Sequence, residues 1–218
     1  MISVLSLREP MNALTHMAGA AASIAGLVLL VAAAVLKAGA WHVVSFSIFG
    51  SSLVMLYTSS AFYHALNLGD KGMTRLRRLD HIMIFMLIAG TYTPICLVPL
   101  RGGLGWTLFG IVWGMAVAGT FLKLYFIHAP RWLSTSIYLV MGWLCIIAVI
   151  PLFRILEPGC MGWLAAGGVF YSLGAVVYGV KRPDPWPGCF GFHEIWHLFV
   201  MAGSFCHFWV AFAYITYI

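Results

Sequence analysis

Two histidines near the end of the chain have the spacing of metal ligands. His193 and His197 stand four residues apart in the stretch HEIWH, so on a helix both imidazoles lie on one face and can bind one ion. The same five residues match the H-E-x-x-H pattern of soluble metalloproteases, whose glutamate is the general base. Glu194 is therefore a candidate base. Two solvated histidines at a membrane interface are the alternative interpretation.

A second pair of polar residues has the same helical spacing. Ser60 and His64 stand four residues apart, so on a helix they also share a face. Asp80 opens the next apolar run, immediately before His81. Taken alone, Asp80 would be interpreted as a helix N-cap, a position where Asp is common. Taken with the histidines, it is a candidate for activating a water molecule.

The composition restricts what can position these residues. The chain has 218 residues, of which 62% are hydrophobic and 8% are charged, and its mean hydropathy is +0.97. Soluble domains carry about 25% charged residues, so a soluble enzyme, a disordered chain and a disulfide-rich secreted domain are excluded. The fold predicted is an all-α bundle of seven transmembrane helices forming one domain over residues 1–218. The predicted spans are about 15–36, 43–66, 80–100, 104–126, 134–153, 160–180 and 190–217.

Basic residues set the predicted orientation of these spans. With alternating spans, one side of the membrane carries nine of the twelve Lys and Arg residues and the other carries Lys37, Arg101 and Arg154. The nine are Arg8, Lys71, Arg75, Arg77, Arg78, Lys123, Arg131, Lys181 and Arg182. Because positive loops stay cytoplasmic, the N-terminus is predicted inside and the C-terminus outside. Basic residues confined to loops do not indicate nucleic-acid binding, and a dimer remains possible without support from the sequence.

This topology brings the polar residues to one depth. Span two ends on the cytoplasmic side, where spans three and seven begin. At 1.5 Å per residue, His64, Asp80, His193 and His197 lie within roughly 10 Å of the inner edge of the apolar core. Three imidazoles with an open fourth position are typical of catalytic zinc.

Other polar residues of the spans are predicted to have structural roles. His16 and His207 are placed farther from the site by depth and are expected to be hydrogen-bonded within the bundle, although His16, at the inner end of span one, could reach the surroundings of the site. Lys123 is expected to extend its amine to water at the inner end of span four. The five cysteines show no CxxC spacing and are expected to be small buried hydrophobes.

Several motifs spread over the chain resemble one known family. They are Glu9-Pro10-x-Asn12-x-x-Thr15-His16, Ser60-x-x-x-His64, Leu79-Asp80-His81 with the stretch 87–94, and His193-x-x-x-His197 followed by Gly203-x-x-x-His207. Together they resemble the haemolysin III group of the progestin and adipoQ receptor family. The resemblance implies a seven-helix bundle with an inside N-terminus, and a multi-pass protein of the inner cell membrane. The short N-terminus is similar to that of bacterial members, and hormone binding is not expected.

The resemblance also implies a zinc site and its chemistry. Zinc would be held by His64, His193 and His197, with Asp80 acting on the water at the zinc and Ser60 beside the site. The wider superfamily includes ceramide-cleaving hydrolases, so a zinc-dependent hydrolase of a lipid amide or ester is the first hypothesis, with a membrane lipid as substrate. Glu194 is kept as the alternative base. The second hypothesis is a non-enzymatic membrane-homeostasis, receptor or haemolysin-type protein whose zinc is structural.

Overall fold

The computed structural model describes residues 7–218 of the chain, and in this range it contains helices and no strands. Seven helical segments are long and apolar enough to cross a membrane, which confirms the predicted seven-span all-α fold. The fifth segment, Arg131–Ile155, consists of two helices joined by a 3₁₀ turn. The helices are α1 (Pro10–Lys37), α2 (Ala40–Ala65), α3 (Asp70–Leu97), α4 (Gly103–Tyr125), α5 (Arg131–Trp143), α6 (Val149–Ile155), α7 (Pro158–Val180) and α8 (Phe192–Ala213).

Six of the spans form a ring. Helix α1 packs between α2 and α8, α2 packs against α3, and α7 packs against α8, while α5 lies between α7 and α3. Helix α4 packs on the outside of α3. Glycines allow two of these close approaches: a Cβ at Gly90 would overlap Ser52 of α2, and a Cβ at Gly119 would overlap Phe85 of α3.

The third helix begins ten residues earlier than the predicted span. Its first residue is Asp70, its N-cap is Gly69, and Lys71, Arg75 and Arg77 are exposed on its first turns. Charged residues end an apolar run without ending a helix, because Lys and Arg are good helix formers. The interpretation of Asp80 as an N-cap is therefore wrong: Asp80 lies inside α3 and is buried.

The break in the fifth span has two causes. The Tyr92 hydroxyl lies against the helix backbone, where it donates to the Met141 or Gly142 carbonyl (2.9 and 2.6 Å) and accepts from the Cys145 N–H at 2.9 Å. Six residues after Cys145, Pro151 has no N–H and its ring clashes with a regular helical turn before it. The 3₁₀ turn Leu144–Ala148 contains Cys145 and ends three residues before Pro151.

The expectation that the Lys123 amine extends to water is wrong. Its side chain is 2% exposed, and its Nζ donates to Ser134 Oγ at 2.5 Å, at the start of α5. The amine does not extend to water because α5 covers it, and the sequence around Lys123 gave no indication of that neighbour.

The first and the last described residues lie at opposite ends of the bundle. Lys37, at the end of α1, donates to the hydroxyl of Tyr217, whereas Glu9 contacts His64 at the far end of α2. An odd number of spans requires this arrangement. The direction of insertion rests on the basic residues alone and stays a prediction.

We expect a reporter fused after Ile218 to lie outside the cytoplasm. The reason is the nine-to-three distribution of basic residues, which opposes translocation of the N-terminal side. Alkaline phosphatase at this position should be active and green fluorescent protein dark. The control is the same pair of reporters inserted between Lys181 and Gly191, where the activities should be reversed. An active cytoplasmic reporter after Ile218 would contradict the orientation.

Candidate functional site

Three histidines from two helices converge at one end of the bundle. One ring nitrogen from each of His64 on α2 and His193 and His197 on α8 lies within 4.8 Å of the other two. The ring centroids are 5.1, 5.1 and 4.7 Å apart. His64 and His197 are buried, and His193 is partly buried. The predicted convergence of these three residues is confirmed.

The nitrogens that face one another have no hydrogen-bond partner within residues 7–218. Nε2 of His64, of His193 and of His197 is in each case buried and unpaired. Buried polar atoms are nearly always paired, because an unpaired one costs about 1–3 kcal/mol. Three such atoms aimed at one point fit a metal ion. Imidazole nitrogens suit zinc, copper, iron or nickel, and no other group of three potential ligands occurs in the described part of the chain.

The other nitrogen of two of these rings is hydrogen-bonded to the start of the first helix. His64 Nδ1 lies 2.5 Å from Glu9 Oε2, and His197 Nδ1 lies 3.3 Å from Thr15 Oγ1. An ionised carboxylate only accepts hydrogen bonds, so His64 donates through Nδ1 and keeps the lone pair of Nε2 free. The hydrogen bond from His64 lowers the pKa of the Glu9 carboxyl and outweighs the opposing effect of its partial burial.

Glu9 was not predicted as a site residue. It stands just outside the first apolar run, and nothing in the spacing relates it to His64, which lies 55 residues away. Two signals were available: an acidic residue at the membrane edge where the site was expected, and the place of Glu9 in the first motif of the family resemblance. Packing of α1 against α2 is what brings the two together.

The prediction that His16 is hydrogen-bonded within the bundle is wrong, and its alternative, that His16 reaches the surroundings of the site, describes its position. Its ring stacks on that of His197, with centroids 3.5 Å apart and planes 12° from parallel. It is 2% exposed, and neither ring nitrogen has a partner among the described residues. Depth along the helix had placed His16 farther away, and the contact with His197 arises because α1 packs beside α8. His207, in contrast, donates from Nδ1 to the Gly203 carbonyl of its own helix at 2.8 Å.

Asp80 and Ser60 face the same cavity. Both are buried, and both line a cavity of about 390 Å³ together with His16. Ser60 is one helical turn from His64. Within the described residues Asp80 makes no hydrogen bond to the three imidazoles, and its Oδ2 lies 3.6 Å from Nδ1 of His81.

The remainder of the cavity is apolar and reaches the outer surface of the bundle. Away from its polar end, most of its lining side chains are hydrocarbon, for example Leu56, Ile84 and Leu164. Trp143 and Val169 line it too, and they are 45% and 50% exposed. The cavity therefore opens between the fifth and sixth spans, where only lipid can cover an exposed apolar side chain.

The Glu194 carboxylate caps the first turn of α8. Its Oε2 accepts the Gly191 N–H at 2.8 Å, which is how a glutamate at the third helical position caps a helix. Its carboxylate is thereby held at the helix end rather than among the imidazoles.

The comparison with known proteins is consistent with this geometry. The profile of a family described as "Haemolysin-III related" matches residues 5–208. The chain belongs to the haemolysin-III-related family. It is similar to a "Hemolysin-3 homolog" of Bacillus subtilis (strain 168), with 44% identity covering 90% of this chain and 89% of the relative. It is 40% identical to "Hemolysin-3" of Bacillus cereus, covering 95% and 91%.

More distant similarity extends to animal proteins. The human "Monocyte to macrophage differentiation factor" is 25% identical over 80% of this chain and 72% of its own length. The resemblance to the haemolysin III group and its wider receptor family is thus confirmed. The matched region of this haemolysin-III-related chain contains all three clustered histidines as well as Glu9, Thr15 and His16.

Proposed function

We propose that this protein is a zinc-dependent hydrolase of a lipid amide or ester, embedded in the inner cell membrane with its site near the cytoplasmic leaflet. The observation that carries the proposal is the group of three buried Nε2 atoms that have no partner among the described residues. An apolar cavity reaches this group through His16, which stacks on His197 and lines the cavity at its polar end. A metal site adjoining a cavity that opens to lipid suits a substrate that is half hydrocarbon.

Zinc fits the donor set better than the alternatives in a hydrolase. Three neutral imidazoles are a common ligand set of catalytic zinc, which has no redox chemistry of its own. When bound, zinc lowers the pKa of water towards about 7 and polarises a substrate carbonyl. His64, His193 and His197 are the residues that would hold it.

The residues at the polar end of the cavity supply the remaining chemistry. Asp80 would accept a proton on its carboxylate from the attacking water and return it to the leaving amine or alcohol. Ser60 would donate a hydrogen bond to the carbonyl oxygen as negative charge develops there. His16, with both nitrogens unpaired, would bind a polar group of the substrate next to the scissile bond.

The proposal is tested on the purified, zinc-loaded protein in detergent or in vesicles. Candidate substrates are an N-acyl sphingoid amide and an acyl ester of matched chain length, with the released fatty acid quantified. Turnover that disappears with a chelator and returns with zinc supports the hydrolase. Absence of turnover on both classes, with zinc bound, favours the alternative below.

We expect Gly168→Leu to reduce hydrolysis of long-chain substrates. Gly168 lines the cavity, and nothing lies within 4 Å of the position its Cβ would take, so a leucine is tolerated and occupies space needed by hydrocarbon. The effect should be about tenfold or more in kcat/KM and should be smaller for short acyl chains. The test compares kcat/KM of the variant and the wild type over a series of acyl chain lengths.

The matched control for this variant is Gly162→Leu. Gly162 is on the same helix, is equally open around its Cβ position and does not line the cavity. It should keep the wild-type chain-length profile. Equal losses in both variants would mean that a leucine perturbs α7 wherever it is placed. Unchanged long-chain turnover in Gly168→Leu would show that the acyl chain does not bind in this cavity.

A second candidate is a non-enzymatic membrane protein with a structural zinc. The observation that favours it is that the three imidazoles come from α2 and α8, so an ion would cross-link two spans that are distant in sequence. The names of the Bacillus relatives refer to haemolysis and not to hydrolysis. In this case zinc removal would lower thermal stability without any activity being lost.

A further inference from the structure

The segment before the first helix is attached to the end of the second helix next to the histidine cluster. The Glu9 N–H donates to the His64 carbonyl at 3.0 Å, and the Arg8 N–H donates to the Ala65 carbonyl at 3.3 Å. These backbone bonds hold residues 8 and 9 against the residue that carries the imidazole. Helix α1 itself provides none of the three clustered histidines, although it packs against both helices that do.

The Glu9 carboxylate is held in place from two sides. Arg8 Nη2 lies 3.0 Å from Oε1, and Asn12 Nδ2 donates to Oε2 at 3.4 Å. The same Oε2 accepts from His64 Nδ1 at 2.5 Å. The His64 side chain is 2% exposed and the Glu9 side chain is 42% exposed, so water reaches the carboxylate but not the imidazole. The hydrogen bond is charge-assisted, and such bonds are stronger than neutral ones.

Thr15 connects His197 to the backbone of α1 through hydrogen bonds. Its hydroxyl lies 3.0 Å from the Met11 and Asn12 carbonyls and donates its single proton to one of them. The Thr15 oxygen is then left to accept from His197 Nδ1 at 3.3 Å. The proton of the His197 ring is thus on Nδ1, and the Nε2 lone pair faces the cluster.

We propose that Glu9 and Thr15 are positioning residues for the metal. They fix the tautomer and the ring orientation of His64 and His197. The beginning of the first span thus orients the ligands of a site to which it contributes no ligand itself. This inference rests on the proposed zinc site. A carboxylate on the far nitrogen of a ligating imidazole also makes the imidazole a more basic donor. Loss of such a partner typically lowers metal affinity by about 10- to 100-fold.

The experiment measures zinc affinity of the purified full-length protein against a competing chelator. Glu9→Gln keeps an acceptor without the charge, so we expect affinity about tenfold lower, and Glu9→Ala should approach a 100-fold loss. Thr15→Val should lose about tenfold, and Thr15→Ser, which restores the hydroxyl, should bind zinc like the wild type.

Matched controls separate positioning from a general weakening of the fold. Glu157 precedes Pro158 at the start of α7 as Glu9 precedes Pro10 at the start of α1. Thr107 donates to the carbonyl four residues before it as Thr15 does. Glu157→Ala and Thr107→Val should therefore leave zinc affinity unchanged. A loss in these controls equal to that in the Glu9 and Thr15 variants would overturn the inference.

A spectroscopic readout reports the tautomer directly. In zinc-loaded protein labelled with ¹⁵N-histidine, the Nδ1–H proton of His64 should resonate at low field in the wild type. The signal should move or exchange away in Glu9→Ala while the melting temperature stays near the wild-type value. Wild type that binds no zinc would refute the proposed function itself. Wild type that binds zinc, with unchanged affinity and an unchanged Nδ1–H signal in Glu9→Ala, would overturn the positioning role alone.

Discussion

Replacing any one of His64, His193 or His197 with alanine is expected to reduce bound zinc from about one ion per chain to a small fraction of that. Each substitution removes one of three nitrogen ligands and leaves two imidazoles, which cannot complete a catalytic site. Metal analysis of the purified variants, at equal protein concentration and after dialysis, is the measurement.

The control for this prediction is a histidine at the other end of the bundle. His42 Nε2 hydrogen-bonds the Ile215 carbonyl at 3.1 Å, and the amide of a glutamine can reproduce that bond. His42→Gln should therefore retain zinc at the wild-type level. Full zinc content in His64→Ala would show that α2 supplies no ligand to the site. The remaining motif would then be a pair of histidines of the kind that many helices carry without metal.

Asp80→Asn is expected to fold, to retain zinc and to lose lipid hydrolysis by about a hundredfold or more. Asparagine has almost the same shape as aspartate but cannot accept and hold a proton at neutral pH. Since Asp80 lies inside α3, ten residues from its start, no capping role complicates the result. Activity is measured per zinc-loaded protein, so a change in metal content is not mistaken for a change in chemistry.

Glu194→Gln in the same assay decides between the two candidate bases. The Glu194 carboxylate accepts the Gly191 N–H, and a glutamine oxygen caps a helix in the same way, so activity should be nearly unchanged. Loss of activity in Glu194→Gln alone would assign the base to the H-E-x-x-H glutamate. Unchanged function in both variants, with zinc still bound, would favour the non-enzymatic candidate.

The number of spans and the shared depth of the three clustered histidines could be predicted from sequence because both are local properties. An apolar run long enough to cross the hydrocarbon must be helical, since lipid offers no partner for backbone groups. Position along a helix then follows from a fixed rise per residue. His64, His193 and His197 could be placed at one level in this way, and the structure brings them together.

Which residues face one another at that level was decided by tertiary packing. Glu9 and His16 reach the cluster because α1 lies between α2 and α8, and Lys123 is covered because α5 lies across it. Hydrophobic runs determine depth but not which helices are neighbours, because lipid-facing and helix-facing surfaces are almost equally apolar. Neighbours are selected by close packing at small residues such as Gly90 and by individual hydrogen bonds, and these join residues far apart in the chain.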